Sequence, residues 1–236
     1  MAIGSQCCLP IVEMLHYKNE RLERMIREEL TTCQFYLYDA SITDRDMEII
    51  IKQGMINKQC TELYLGSNKL TAIGISILAD ALKDTNQILE SLWLYDNQLG
   101  DTGVYFLAKV LSRSNRTLKT LDLGKNNITD NGMKYLAQML ATNRTLTHLY
   151  LSANQITDDG LGILAKTIRN SNAHLELLHI SEHPLLTDVC VDSLLQMIRH
   201  NKSMKVVQMH QCNLSENGKT KLKTGQKGRN IFLLYQ

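Results

Sequence analysis

The side chains best equipped for recognition chemistry in this chain return at intervals of 28 or 29 residues. Tyr36, Tyr64, Trp93, Asp122, Tyr150, His179 and Gln208 form one series. Two residues further on, Tyr38, Gly66, Tyr95, Gly124, Ser152, Ser181 and His210 form a second, and one beyond that Asp39, Ser67, Asp96, Lys125, Ala153, Glu182 and Gln211 form a third. Six of the 14 residues in the first two series are Tyr or Trp, in a chain that is 6% aromatic, so about one would be expected. Strand propensity alone does not account for the excess, because the equally β-prone Val, Ile and Thr are absent from both series. Exposed aromatic rows flanked by Asp and Lys are what protein interfaces use as anchors. The candidate partner-binding residues are therefore Tyr36, Tyr38, Tyr64, Trp93, Tyr95, Asp96, Asp122, Lys125, Tyr150, His179 and His210, centred on Trp93, Tyr95, Asp122 and Tyr150.

Individual members carry further expectations. Asp122 falls between Trp93 and Tyr150, where desolvation would raise its pKa and a recognition contact is the simplest role. Asp96 and Lys125 are neighbours in their series and are expected to pair, an exposed ion pair worth ~0–1 kcal/mol. His179, Glu182 and His210 approach one another in the pattern but match no metal-ligand spacing. No Ser/His/Asp or Cys/His set converges, and no carboxylate pair falls in an obvious cleft. The expectation is a non-enzyme with no catalytic residue, metal or cofactor.

The elements that position these series are legible in what lies between them. The phrase L-x-x-L-x-L-x-x-N-x-L is written by Leu89, Leu92, Leu94, Asn97 and Leu99. It returns at Leu118, Leu121, Leu123, Asn126, Ile128 and at Leu146, Leu149, Leu151, Asn154, Ile156, and earlier with Cys60 in the first place at Leu63, Leu65, Asn68, Leu70. Its alternation predicts a strand that buries the leucines and turns the intervening residues outward. A glycine follows six residues after each of these asparagines (Gly74, Gly103, Gly132, Gly160), then Leu-Ala and a further Leu or Ile four residues beyond that leucine, which predicts a helix with one apolar face. Each repeat is thus a strand, a turn and a helix. Stacked repeats give parallel strands ~4.8 Å apart, so each polar series becomes a continuous lane. The asparagine amide is expected to turn inward and satisfy backbone groups that the tight turn leaves unpaired.

The pattern decays toward both ends. In the first repeat Phe35, Leu37 and Ile42 keep the spacing, but Ala40 replaces the asparagine and Asp46 a later glycine. In the sixth His183 replaces the asparagine and Pro184 follows. In the seventh Met204, Val207, Met209 and Leu214 surround Cys212 at that position. Residues 11–30 are expected to form a helix whose apolar stripe, Leu15, Leu22, Met25, Ile26 and Leu30, covers the open end of the stack or docks elsewhere. The organisation expected is an N-terminal segment with its capping helix over 1–30, seven repeats over 31–222, and a basic stretch with a partial capping strand over 223–236.

Composition narrows the function classes. The net charge of +2 gives no field of one sign to hold nucleic acid or an anionic membrane, and no apolar run reaches the ~18 residues that span a bilayer. Residues 1–10 lack a basic start and a long apolar stretch. The six cysteines form neither a disulfide framework nor a C-x-x-C pair, so a reducing, cytoplasmic setting is expected. The Asn-x-Ser/Thr triplets at Asn115, Asn127, Asn143, Asn201 and Asn213 then read as products of repetition rather than glycosylation sites.

From about Thr31 to Leu222 the sequence resembles the ribonuclease-inhibitor-type leucine-rich-repeat family, on the 28/29 period, the N-x-L-x-x-x-G phrase and the L-A-x-x-L helix. Similar repeats occur in NOD-like receptors, Ran GTPase-activating proteins and tropomodulins. The resemblance implies an α/β leucine-rich-repeat solenoid, a horseshoe with parallel strands on the concave face and helices on the convex face. The function expected is a non-catalytic protein-interaction module, a monomer or weak oligomer, taking a protein or peptide on its concave face. The alternatives are a GTPase-activating regulator of the Ran-activator type and a cytoskeletal or scaffold subunit held through the convex helices or residues 11–30.

Overall fold

Each repeat leucine pair goes into the core and leaves the residue between it outside. Leu63 and Leu65, Leu92 and Leu94, Leu121 and Leu123, and Leu149 and Leu151 are all fully buried, whereas Tyr64, Trp93, Asp122 and Tyr150 keep a solvent-facing side. The computed structural model of the chain describes residues 17–28, 33–57, 59–83, 88–226 and 231–235. Among them, eight three-residue strands pair in parallel in chain order: β1 (Gln34–Tyr36), β2 (Glu62–Tyr64), β3 (Ser91–Trp93), β4 (Thr120–Asp122), β5 (His148–Tyr150), β6 (Leu177–His179), β7 (Val206–Gln208) and β8 (Phe232–Leu234). The register advances by one repeat at each step, so Tyr36, Tyr64, Trp93, Asp122, Tyr150, His179 and Gln208 are successive partners in one row.

The helices stack outside the sheet: α3 (Ala72–Ala81), α4 (Gly100–Arg113), α5 (Asp130–Thr142), α6 (Asp158–Ser171), α7 (Val191–His200) and α8 (Glu216–Gly225). One continuous core fills the space between the two layers. The architecture is a leucine-rich-repeat solenoid. Where the first repeat would place a regular helix, residues 44–57 wind as a turn of 3₁₀ helix, the one-turn α2 (Met47–Ile49) and a π-helical stretch (Ile50–Asn57). Gly54 there lies against the Phe35 ring, in van der Waals range for an added Cβ at 3.5 Å.

The asparagine ladder does what its position requires. Asn68 Nδ2 donates to the carbonyls of Leu37, Leu65 and Gly66, and its Oδ1 accepts from the Ala40 and Ile42 N–H groups. Asn154 does the same with Leu123, Leu151 and Ser152 on one side and Asn126 and Ile128 on the other. A second ladder, missed in the sequence, closes the opposite edge. Asn115, Asn143, Asn172 and Asn201 are each at most 3% exposed. Their Oδ1 atoms accept from the two N–H groups that open the next strand phrase, as Asn143 does from Thr145 and Leu146. Three of the five glycosylation triplets are therefore structural asparagines with their amides in use.

A third ladder clasps successive helix N-termini. Asp101 accepts from Thr129 N (2.8 Å), Thr129 Oγ1 (2.6 Å) and Gly132 N (2.9 Å). Asp44 with Thr71, Asp130 with Thr157, Asp158 with Thr187 and Asp188 with Ser215 repeat the arrangement. The repeated glycine leaves room for this clasp, since a Cβ on Gly132 would stand 2.6 Å from Asp101 Oδ1. The clasp is missing once: Ala72 has no carboxylate, and the residue facing it is Gly100, at φ +57°.

At the N-terminal end, α1 (Glu20–Glu28) buries Leu22 and Ile26 in the common core. Leu15 and Leu30 of the expected stripe lie outside the described residues. Asp46, the residue that broke the glycine pattern, is 1% exposed and anchors this segment. It accepts from Tyr17 Oη (2.9 Å), Asn19 Nδ2 (2.7 Å), and both Thr43 N and Thr43 Oγ1 (2.8 Å each). Among the described residues, no helix is long and apolar enough to cross a membrane.

Candidate functional site: the concave aromatic row

The first lane is an almost unbroken row of rings. Tyr36 stacks on Tyr64 with centroids 4.5 Å apart, and Tyr64 on Trp93 at 5.6 Å with planes 2° apart. Trp93 then meets Tyr150 at 5.5 Å, and Tyr150 meets His179 edge-on at 5.7 Å. Register supplies one outward side chain per strand, a ring on every strand from β1 to β6 except β4, and the curvature of the sheet brings these side chains together. Phenol groups are fixed from within the same face. Tyr36 Oη donates to Gln34 and Tyr64 Oη to Glu62 at 2.6 Å, while Gln34 Nε2 donates to Glu62. Burial and the Glu62 carboxylate both push the Tyr64 pKa up. These anchors come from a further lane, two residues before the first, that alternation alone would have identified: Gln34, Glu62, Ser91, Thr120, His148 and onward.

The second lane depends on its glycines. A Cβ on Gly66 would meet the Tyr38 ring at 2.9 Å, and one on Gly124 would meet Tyr95 Cδ2 at 2.7 Å. The two glycines leave the room that the rings of the preceding tyrosines occupy. Tyr38 remains 60% exposed. The third lane departs from a strand. Asp39, Ser67, Asp96, Lys125, Ala153, Glu182 and Gln211 all have φ between 50° and 62°, the left-handed conformation that turns the chain out of each strand. Their side chains line the rim in a hydrogen-bonded chain: Ser67 Oγ lies 2.9 Å from Tyr38 Oη and 3.2 Å from Asp96 Oδ2, so that its one proton serves the carboxylate when the phenol donates to it, and Lys125 Nζ lies 3.1 Å from Asp96 Oδ1.

Asp122 interrupts the ring row. Its Oδ1 accepts the Gly124 N–H at 2.8 Å, and burial pushes its pKa up to about 6. Trp93 Nε1 is buried without a hydrogen-bond partner among the described residues, so stacking and not hydrogen bonding positions the indole. Burial also lowers the His179 pKa, with His210 adding to the effect. His210 itself faces a different groove, of about 580 Å³, with Lys219, Lys223 and Tyr235. Among the described residues no group of three His, Cys, Asp or Glu side chains is placed to hold a metal ion.

A protein-family model described as Leucine Rich repeat matches residues 85–108, 114–137 and 142–165. The chain carries leucine-rich repeats of the ribonuclease-inhibitor type. The matched spans of the leucine-rich-repeat chain include β3, β4 and β5, the strands that carry Trp93, Asp122 and Tyr150. A comparison with curated proteins finds no match. Among solved structures, the chain is similar to one described as Leiomodin-1 Actin-Binding Site 2 (ABS2), at 14% identity and a TM-score of 0.42, over 77% of this chain and 86% of that one. Leucine-rich repeats are in general protein-binding modules and are usually non-catalytic.

Proposed function

We propose that the N-terminal half of the concave face, centred on Trp93, Tyr95, Asp122 and Tyr150, binds a protein or peptide partner, and that the chain acts by binding without catalysis. The ring row from Tyr36 to His179, broken only by Asp122, carries this reading. These rings offer large, rigid contact area at little entropic cost, and Tyr and Trp are the residues that dominate interface energetics. Acidic groups around the row, with Lys125 the one basic side chain on its lanes, favour a protein ligand over nucleic acid.

The test is partner capture with wild type beside a Trp93→Ala/Tyr150→Ala double variant, each shown to melt as a folded protein. Loss of a wild-type partner from the double variant supports the reading. Equal retention overturns it and moves attention to the convex side. There Tyr105, 41% exposed, packs edge-on against Phe106 and Tyr135 of α4 and α5, which is where a scaffold subunit would be held.

A further inference from the structure

The charges of the concave face do not follow those of the chain. The whole sequence has 26 basic and 24 acidic residues. The four lanes of the concave face carry five carboxylates, Asp39, Glu62, Asp96, Asp122 and Glu182, against the single ammonium of Lys125. Two of these are already engaged, Glu62 by Tyr64 and Gln34 and Asp96 by Lys125 and Ser67, while Asp39 and Glu182 stand exposed to solvent. Asp122 is different. Its Oδ1 holds the Gly124 N–H, while Oδ2 has no hydrogen bond or ion pair among the described residues. It is surrounded by rings: Trp93 and Tyr150 meet across its place in the row, and Tyr95 Cδ2 and Asp122 Oδ1 lie 2.7 and 3.2 Å from one point above Gly124.

A carboxylate walled by three aromatic rings, each with an electron-rich face, is an environment that favours a cation. Ring quadrupoles attract it, and the desolvated carboxylate regains a counter-charge. A planar guanidinium suits both features, since it packs against aromatic rings and directs its N–H groups to a carboxylate oxygen. We propose that Trp93, Tyr95, Asp122 and Tyr150 form a receptor for one arginine side chain of a basic partner segment, with Asp122 Oδ2 as its acceptor. This rests on the concave-face reading above and adds the chemistry of the ligand.

Trp93 is the only tryptophan in the chain, so its emission reports on the site alone. The probes are hexa-arginine and its neutral isostere hexa-citrulline, titrated at ~150 mM salt, where interactions beyond about 8 Å are screened. The expected result is a saturable change in Trp93 emission with hexa-arginine, none with hexa-citrulline, and affinity weaker by about tenfold or more in Asp122→Asn. That variant keeps an oxygen for Gly124 and the same shape, and its melting is checked alongside. Absence of a saturable response to hexa-arginine, or equal affinity in wild type and Asp122→Asn, overturns the proposal. Captured partners separate it from the parent reading. A partner lost by Trp93→Ala/Tyr150→Ala but held undiminished by Asp122→Asn removes the arginine receptor and leaves the concave site standing. A partner held by all variants removes both.

Discussion

Trp93 and Tyr150 stand on strands that are not neighbours, β3 and β5, yet their ring centroids lie 5.5 Å apart. The side chain between them in the row is Asp122, which is short enough for the rings to close toward each other across it. The closure has an electrostatic cost, because it strips water from a carboxylate that receives one backbone N–H in return.

That cost is measurable as a pH dependence. The folded-state pKa of Asp122 is raised from 3.8 to about 6, so the folded form holds the proton more tightly than the unfolded chain. Stability from this group is highest below 3.8, falls as pH rises toward about 6, and stays at its lower level above that. The ionised group costs on the order of 2–3 kcal/mol. Asp122→Asn is expected to raise the unfolding free energy by that order at pH 7.5, with the gain shrinking to nothing near pH 4. Urea unfolding of both proteins across this range checks it.

His183 makes the opposite contribution. It replaces the repeat asparagine, is wholly buried, and sets Nδ1 3.0 Å from the Asn154 carbonyl and Nε2 2.9 Å from that of Leu151. A neutral imidazole has one N–H and serves one of these acceptors, whereas an amide supplies two donors. Burial lowers its pKa below 6.5, so stability is present above that value and is lost as pH falls through it toward the folded value. His183→Asn is expected to stabilise the fold by about 1 kcal/mol at pH 7.5 and to abolish this acid-side loss, as equilibrium unfolding at pH 7.5 and 5.5 would show.

Asp46 accepts from four donors, and two of them, Tyr17 Oη and Asn19 Nδ2, tie the N-terminal segment to the first repeat. Asp46→Ala leaves them without an acceptor and is expected to cost on the order of 3 kcal/mol. The loss should be local at first. Limited proteolysis of the variant is expected to cut within residues 17–28 under conditions that leave wild type intact, because α1 loses its anchor before the solenoid unfolds.

The missing clasp between Ala72 and Gly100 gives a prediction of coupling. Gly100→Thr alone places a β-branched residue at φ +57° and is expected to destabilise by ~1–2 kcal/mol. Combined with Ala72→Asp it gains the carboxylate that the other repeats use, and a double-mutant cycle is expected to return a favourable coupling of ~1–2 kcal/mol. A coupling near zero would show that the backbone at Gly100 does not revert to the N-cap geometry of Thr129.

Periodicity made the fold legible before any coordinates. The leucines of each phrase had one consistent destination, and a spacing held to one residue in 28 or 29 fixed both the parallel order and the row Tyr36 to Gln208. The roles of Asn68 and Asn154 also followed, because a tight turn leaves backbone groups that only a side chain of that length and polarity satisfies. Other roles were visible in the letters but not in their meaning. Asn143 and Asn201 read as sequence accidents because their acceptors come from a preceding helix 32 or 33 residues away, as Leu111 does for Asn143 and Ile168 for Asn201. Asp46 looked like a lost glycine, and only the packing of residues 17–28 against it shows an anchor.

By itself the sequence determined which residues face the core and which share a concave lane, since alternation and repeat length are properties of the chain. Only the tertiary structure decided how those lane residues meet. The approach of Trp93 to Tyr150 across Asp122, the seating of Tyr95 over Gly124 and the engagement of Asp96 by Lys125 depend on curvature and side-chain reach between repeats. Neither is encoded in any single repeat, because each contact is made by residues 29 to 57 positions apart in the chain, brought together only when the repeats stack.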